Sequence, residues 1–420
     1  LLLQSQLEKE PTAKIIDDPT TASGEASVYI WIKEDLFAAS DSLQQLKQLD
    51  QVIKGSTNNF LSSSFYTSLS EVYKDGANLI VAADLEKIIA SKKGSPTFGK
   101  MGLYNFKHFI MQQKEVEGKT QSRAVFSFKD QRTGIASWLA SPGPMGALEF
   151  VSPEANIAGG FVVKNPESLV EELMDYLQES PSSLRQLSEF ERQHEISISK
   201  DIAATLGGEV AFAVDGPILP TPSWKVVLEV YDQVRLQQAL EKLVVEMSNW
   251  KLSQGQSGLK MESVDVNGRT FYVIKIEGFP VEIHYTFANG YMVATPSRAL
   301  LERALLYRES GTSLLRSAKF TAGLPEDGNT NFSAVFYHNV TGLIGSMADL
   351  MGSSKNSEQG KALQALANST VPTLVCAYAS RDRIVIASNT EGGPFGLSPA
   401  NLLGLPNSFG MQQILEKAIK

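Results

Sequence analysis

Short β-branched and aromatic runs recur along this chain. Each is followed at once by Asp, Asn or Pro, and then by apolar positions at helical spacing. The pattern opens VYIWIKEDLFAASDSLQQLKQL from Val28 and NLIVAADLEKIIAS from Asn78. It returns in NIAGGFVVKNPESLVEELMDYL from Asn156, WKVVLEVYDQVRLQQALEKLV from Trp224, GYMVATPSRALLERALLYR from Gly290 and FSAVFYHNVTGLIGSMADLM from Phe332. Val, Ile, Phe and Tyr favour a pleated strand. Asp35, Asp84, Asn165, Asp232 and Asn339 stand where strand gives way to helix. A short polar side chain there accepts hydrogen bonds from the free N–H groups of the first turn. Pro166 and Pro296 fall near the first helical position, where a missing N–H breaks no bond. Three apolar stripes predict helices with one buried side: Leu36, Ser40, Leu43, Leu46 and Leu49; Leu169, Leu173, Tyr176 and Leu177; and Leu236, Leu240, Leu243 and Val244.

Hairpin signals lie between these units. Asn267-Gly268 separates MESVDV from RTFYVIKI, and Asn289-Gly290 separates EIHYTF from YMVAT. Asn-Gly suits a two-residue turn because both positions need positive φ. Arg381-Asp382-Arg383 joins TLVCAYAS to IVIASNT, while HFIMQQKEVEG, SRAVFSFKD and GIASWLAS read as successive strands. The whole predicts an α+β fold of duplicated modules, each a curved antiparallel sheet whose strand–helix units pack helices on one face. Residues 25–152 and 206–323 carry related successions of strand–helix units and a meander, although the meander and second helix exchange order. The expected organisation is an arm or tether (1–24), a first module (25–178), a helical connector (179–205), a second module (206–390), and an irregular tail with a short closing helix (391–420).

Composition narrows the functional classes. With 420 residues, 43% hydrophobic and 20% charged, the chain has the make-up of a folded protein of more than one domain. Its net charge of −8 argues against a nucleic-acid surface. The single cysteine, Cys376, rules out an intrachain disulfide or multi-cysteine metal site, and its setting in TLVCAYAS reads as a buried apolar position. His108, His194, His284 and His338 show no metal-binding spacing, so neither metal nor cofactor is expected. No nucleophile elbow, phosphate-binding loop or dinucleotide fingerprint occurs. No apolar run approaches the ~18 residues of a membrane helix. Leu1-Leu2-Leu3, followed by a polar stretch with Pro11 and Pro19, reads as the end of a removed export signal or anchor. An exported, periplasmic or cell-surface place in a bacterial envelope is therefore expected.

Two loops depart from the strand–helix grammar. WLASPGPMGALEFVSPEAN carries Trp138, Pro142 and Met145, and LGGEVAFAVDGPILPTPSW carries Asp215, Pro220, Pro222 and Trp224. Pro stiffens a loop, and Trp or Met at its tip can meet an apolar ligand or partner. If both loops lie at the same end of the sheets, they form one site. Their alternative role is bracing, with the tryptophans packed inward. The segment SWLASPGPMGALEFVSPEANIAGGFVVKNPESLV, with DIAATLGGEVAFAVDGPILPTPSWKVVLEVYD, resembles an exported bacterial family catalogued only as a domain of unknown function. The resemblance spans residues 25–338. It implies an envelope location and a non-enzymatic role, and no site residues.

The leading expectation is a non-catalytic envelope protein that works by binding or assembly, with a protein partner or a second copy preferred to a small molecule. The alternative is a carrier of a lipid or other apolar ligand in a groove between sheet and helices, lined by runs such as RTFYVIKI and SVYIWIK. A hydrolase with a site assembled from distant residues is the third.

Overall fold

The computed structural model describes residues 13–33, 36–55, 60–90, 96–116, 119–177, 183–216, 222–278, 282–339 and 372–389. The chain divides into two compact units, Leu1–Lys74 and Asp75–Lys420. The boundary thus falls inside the expected first module, and strands from both expected modules share one sheet.

In the first unit, β1 (Ala13–Ile16) runs parallel to β2 (Val28–Lys33), which pairs antiparallel with β3 (Leu36–Ser40). Helix α1 (Leu43–Ile53) follows, then α2 (Ser64–Lys74). Ile16, Tyr29, Trp31 and Leu46 form the core. The indole of Trp31 donates to Asp17 O at 2.9 Å, and the Tyr29 hydroxyl to Gly24 O at 2.6 Å. Here the sequence expectation needs correction. Leu36 does not open a helix but starts β3, whose side chains alternate between half-buried and exposed. The run LFAAS fits period two as well as 3.6, and pairing with β2 decides between them. The helix begins only after Ser42, so Ser40 belongs to the strand while Leu43, Leu46 and Leu49 face inward. Of the large residues of SVYIWIK, Tyr29, Ile30 and Trp31 are core, with Trp31 only 1% exposed, while Val28 and Ile32 are exposed.

The second unit holds a thirteen-stranded open sheet. Its strands are β4 (Leu79–Ala83), β5 (Phe106–Val116), β6 (Lys119–Phe128), β7 (Ile157–Val162), β8 (Leu206–Val214), β9 (Trp224–Val230), β10 (Leu259–Val266), β11 (Arg269–Ile276), β12 (Glu282–Ala288), β13 (Tyr291–Thr295), β14 (Ala334–His338), β15 (Thr373–Ala379) and β16 (Arg383–Ser388). The order is β10-β11-β12-β13-β9-β8-β7-β14-β15-β16-β6-β5-β4, with every neighbour antiparallel. The class is therefore α+β, as expected. Residues 206–323 build the run from β8 to β10, whereas residues 25–152 are split between the first unit and the far end of this sheet. The hairpin β15–β16 and β14 bridge the two ends.

The caps behave as the polar positions predict. Asp84 Oδ1 accepts from Lys87 N at the head of α3 (Leu85–Ala90), and Asn165 Oδ1 from Ser168 N at α4 (Pro166–Leu177). The connector holds α5 (Ser183–His194). Asp232 Oδ1 accepts from Arg235 N at 3.0 Å to start α6 (Gln233–Ser253). Pro296 lies two residues before α7 (Arg298–Ser310), because Ser297 supplies the cap. Asn267, Gly268, Asn289 and Gly290 all take positive φ, which closes both hairpins in register. The segment GIASWLAS is not a strand: Ile135–Trp138 forms a helical turn. Arg132 imposes it, donating to the carbonyls of Ala136, Leu139 and Ser380 from a buried position. The helix expected after Asn339 and the tail after residue 390 lie outside the described residues.

One face of the sheet carries the core. Ala158, Ala211, Ala213, Val227, Val293, Val335, Tyr337, Leu374 and Cys376 pack there beneath Leu148, Phe150, Leu301, Leu305 and Phe320. Helix α7 covers this face at the β10 end, with Arg298 over the Phe271 ring. Helix α6 covers the opposite face of the same strands, where Tyr285 donates to Gln237 at 3.0 Å. Phe271 and Tyr285 belong to opposite faces by register, so helices flank this end on both sides.

Candidate functional site

The two Pro-rich loops meet in part. The second half of the first loop lies against the turn after β8. Ser152 N donates to Asp215 Oδ2 at 3.0 Å, and Asn156 Nδ2 to Gly216 O at 3.1 Å. Lys225 Nζ donates to Phe150 O at 2.7 Å and to Asp215 Oδ2 at 2.5 Å. The Asp215 and Lys225 side chains are only 3% and 2% exposed. Burial pulls the Lys225 ammonium below the ordinary lysine range, and Asp215 opposes that pull. Asp215 is thus half of an internal ion pair. Met145 is buried in the main core.

The remaining candidates are not gathered. Trp138 is half-buried, its indole donating to Glu172 Oε2 at 2.7 Å, and its carbonyl accepting from Lys164 N. Trp224 pairs with Val214 at the other end of β8. Lys164 follows Val163, whose N–H reaches Gly208 O near the start of β8, so the two tryptophans stand about 20 Å apart along β8 rather than at one mouth. Pro142 and Pro222 are exposed, and Pro220 lies outside the described residues.

A different surface is assembled by the register. On the face of the sheet away from the core, Val226, Phe212, Gly159, Phe336 and Val375 form one cross-strand row. Leu228, Val210, Phe161, Ala334, Ala377 and Ile386 form the next. Phe161, Phe212 and Phe336 are 37%, 38% and 42% exposed, and the rings of Phe161 and Phe212 stack at 6.2 Å. Gly159 makes room for this: a Cβ there would stand 2.4 Å from the Phe212 ring. Its neighbour Gly160 serves the other face, where a Cβ would meet Leu148 at 3.1 Å and Met145 at 3.3 Å. The glycine pair of AGGFVV thus lets an aromatic ring lie flat outside and a tight turn pack inside. Sequence reasoning did not single out these phenylalanines. Their signal is the alternation in VAFAV, where small alanines face the core and Phe faces away.

Among the described residues, no three His, Cys, Asp or Glu side chains are grouped to hold a metal ion. Burial pushes the Cys376 thiol up to about 12. His194 Nδ1 lies 2.6 Å from Glu246, and His284 Nε2 lies 2.7 Å from Glu282. Glu209 Oε2 accepts from Ala147 N at 2.9 Å and from the Tyr291 hydroxyl at 2.8 Å. Burial nonetheless raises its pKa above 4.5. The folded protein then holds a proton that the unfolded chain has lost, so its stabilisation is complete below pH 4.5 and fades as pH climbs through the raised value. Glu209→Gln should therefore gain stability relative to the parent as pH rises. Urea melts at about pH 4 and 8 read this, and equal differences at both would contradict it.

No family model matches the chain, and no curated protein matches it. Among solved structures, three crystal forms of TP0453 align. Form IV is 13% identical and covers 60% of this chain and 94% of that one, with a TM-score of 0.26. Form I is 12% identical over the same shares at 0.27, and form III 12% identical over 64% and 99% at 0.25. Likeness at this level carries no argument about fold or function. Among the described residues, no helix is long and apolar enough to cross a membrane.

Proposed function

We propose that this chain is a non-catalytic binding protein of the bacterial cell envelope, which seats an apolar partner surface on the open face of its large sheet. One observation carries the reading: Phe161, Phe212 and Phe336 stand half-exposed on three neighbouring strands, opposite the core. Contiguous exposed apolar patches mark interaction sites more often than idle surface. An open sheet face suits another protein surface, since small molecules need a concavity that encloses most of their area. The envelope location rests on the family resemblance described above.

The carrier reading has its own observation. Helix α6 and strands β10 and β11 enclose a groove of about 440 Å³, with Val244, Leu259, Met261 and Tyr272 along it and Glu241, Lys260 and Glu262 at its rim. This size accommodates a small amphipathic molecule.

The hydrophobic dye ANS tests the leading reading. The parent protein should enhance its fluorescence, and Phe161→Ser/Phe212→Ser/Phe336→Ser should cut that enhancement about threefold or more. Unchanged enhancement in a variant with native far-UV circular dichroism would remove the sheet face from consideration.

A further inference from the structure

Among the described residues, the outer strand β10 ends the large sheet without a neighbour. Its two-residue hairpin to β11 sets which backbone groups point outward. Val266 and Arg269 flank the Asn-Gly turn and exchange bonds with each other, so Val264, Glu262 and Lys260 also bond inward to β11. Leu259, Met261, Ser263 and Asp265 therefore point their N–H and C=O groups away from the sheet. The Leu259 N–H confirms the phase: it turns outward and is taken by Ser248 Oγ of α6 at 3.0 Å.

Among the described residues, helix α6 presents an unpartnered side along the same edge. Val234, Val245 and Leu252 are 68%, 56% and 55% exposed. They fall within one narrow arc at helical spacing, with Glu241 and Ser248 beside it. Val245, Ser248 and Asn249 also line the groove beside β10. An open edge and an apolar helix side thus adjoin, and one object can cover both.

We propose that this object is a second copy of the chain, joined antiparallel through β10 about a two-fold axis at Met261. A two-fold joining of two edges into one sheet must pair residues of the same face, which leaves few registers. Centring on Lys260 sets lysine against lysine, and centring on Glu262 sets glutamate against glutamate. Centring on Met261 sets Lys260 opposite the second copy's glutamate at position 262, twice. It also brings the outward groups of Met261 and Ser263 into about four ladder bonds. Charges on an outer strand normally block such pairing. Here their order, Lys-Met-Glu, is self-complementary in one register. The same joining lays the two α6 helices side by side, so that Val245 and Leu252 leave water.

Charge reversal tests the register. Size exclusion with light scattering should give a dimer mass for the parent at about 100 µM. Lys260→Glu alone opposes glutamate to glutamate, and Glu262→Lys alone opposes lysine to lysine, so each should weaken association tenfold or more. An equimolar mixture of the two restores opposite charges at both contacts and should recover the dimer. Lys260 is 63% exposed, so its replacement leaves the fold intact, as circular dichroism would check. Leu252→Glu, also exposed, gives a second variant that should be monomeric. A monomeric parent at that concentration would overturn the proposal. So would a dimer indifferent to Lys260→Glu and Leu252→Glu, or folded variants whose mixture stays monomeric.

Discussion

Lys225→Met should lower the unfolding free energy by about 3–5 kcal/mol. The Lys225 ammonium is held by Asp215 at 2.5 Å and by Phe150 O at 2.7 Å, and it lies 5.3 Å from the centre of the Tyr307 ring. Methionine fills the space but leaves the Asp215 carboxylate buried with only the Ser152 N–H beside it. An uncompensated buried charge is far more costly than a missing ion pair, because the Coulomb gain of the pair is largely offset by the desolvation of both ions. The double change Lys225→Met/Asp215→Leu removes both charges and should therefore lose less than the single change. Urea unfolding with constant m reads both values. A loss below about 1 kcal/mol for the single variant would show that the pair is open to water. This seam is where one candidate loop meets the other, so the same experiment asks whether Asp215 braces the loop or serves a ligand.

Arg132→Met should be the next most damaging change, at about 3 kcal/mol or more. The guanidinium sits beneath the Ile135–Trp138 turn, where burial depresses its pKa. It bonds the carbonyls of Ala136, Leu139 and Ser380, with Leu139 at 2.8 Å and Ser380 at 2.6 Å. Removing it leaves three carbonyls that the surrounding structure shields from water, each carrying a desolvation penalty of about 1–3 kcal/mol. Arg132→Lys should recover only part of the loss, because an ammonium lacks the planar fork that reaches several acceptors at once. Full stability in either variant would mean that the turn holds itself.

These two residues also mark where sequence reading ends. The local grammar was legible: Asp84, Asn165 and Asp232 cap their helices, and two Asn-Gly turns set two hairpins. Each of those devices acts over three or four residues. Arg132 acts on Ser380, far along the chain, and nothing near it in sequence announces a turn in place of a strand. The stretch after Asp35 failed for a different reason. LFAAS satisfies two periods at once, and a strand partner settles it.

The candidate surface shows the same limit. Phe161, Phe212 and Phe336 each occupy a strand that the apolar pattern predicts. Their meeting depends on β14 lying beside β7, a pairing across a long stretch of chain. Nor does alternation alone tell which side of a strand is the core. In VAFAV the bulky residue is the exposed one, because the tight turn at Leu148 and Phe150 leaves room only for Ala211 and Ala213 beneath it. The loops singled out by their tryptophans and prolines proved divided, with Met145 and Asp215 inside and Pro142 and Pro222 outside.

Thiol labelling at the sheet face tests most directly whether that face is free to receive a partner. Cys376 is buried with its thiol pushed up to about 12, so it supplies a silent background. Phe212→Cys and Phe336→Cys each place one thiol in the aromatic rows. With a water-soluble maleimide, both should react within about tenfold of a free thiol while Cys376 stays unmodified. Reaction as slow as that of Cys376 in both variants would mean that the phenylalanines are core, and the binding surface proposed for this protein would not exist.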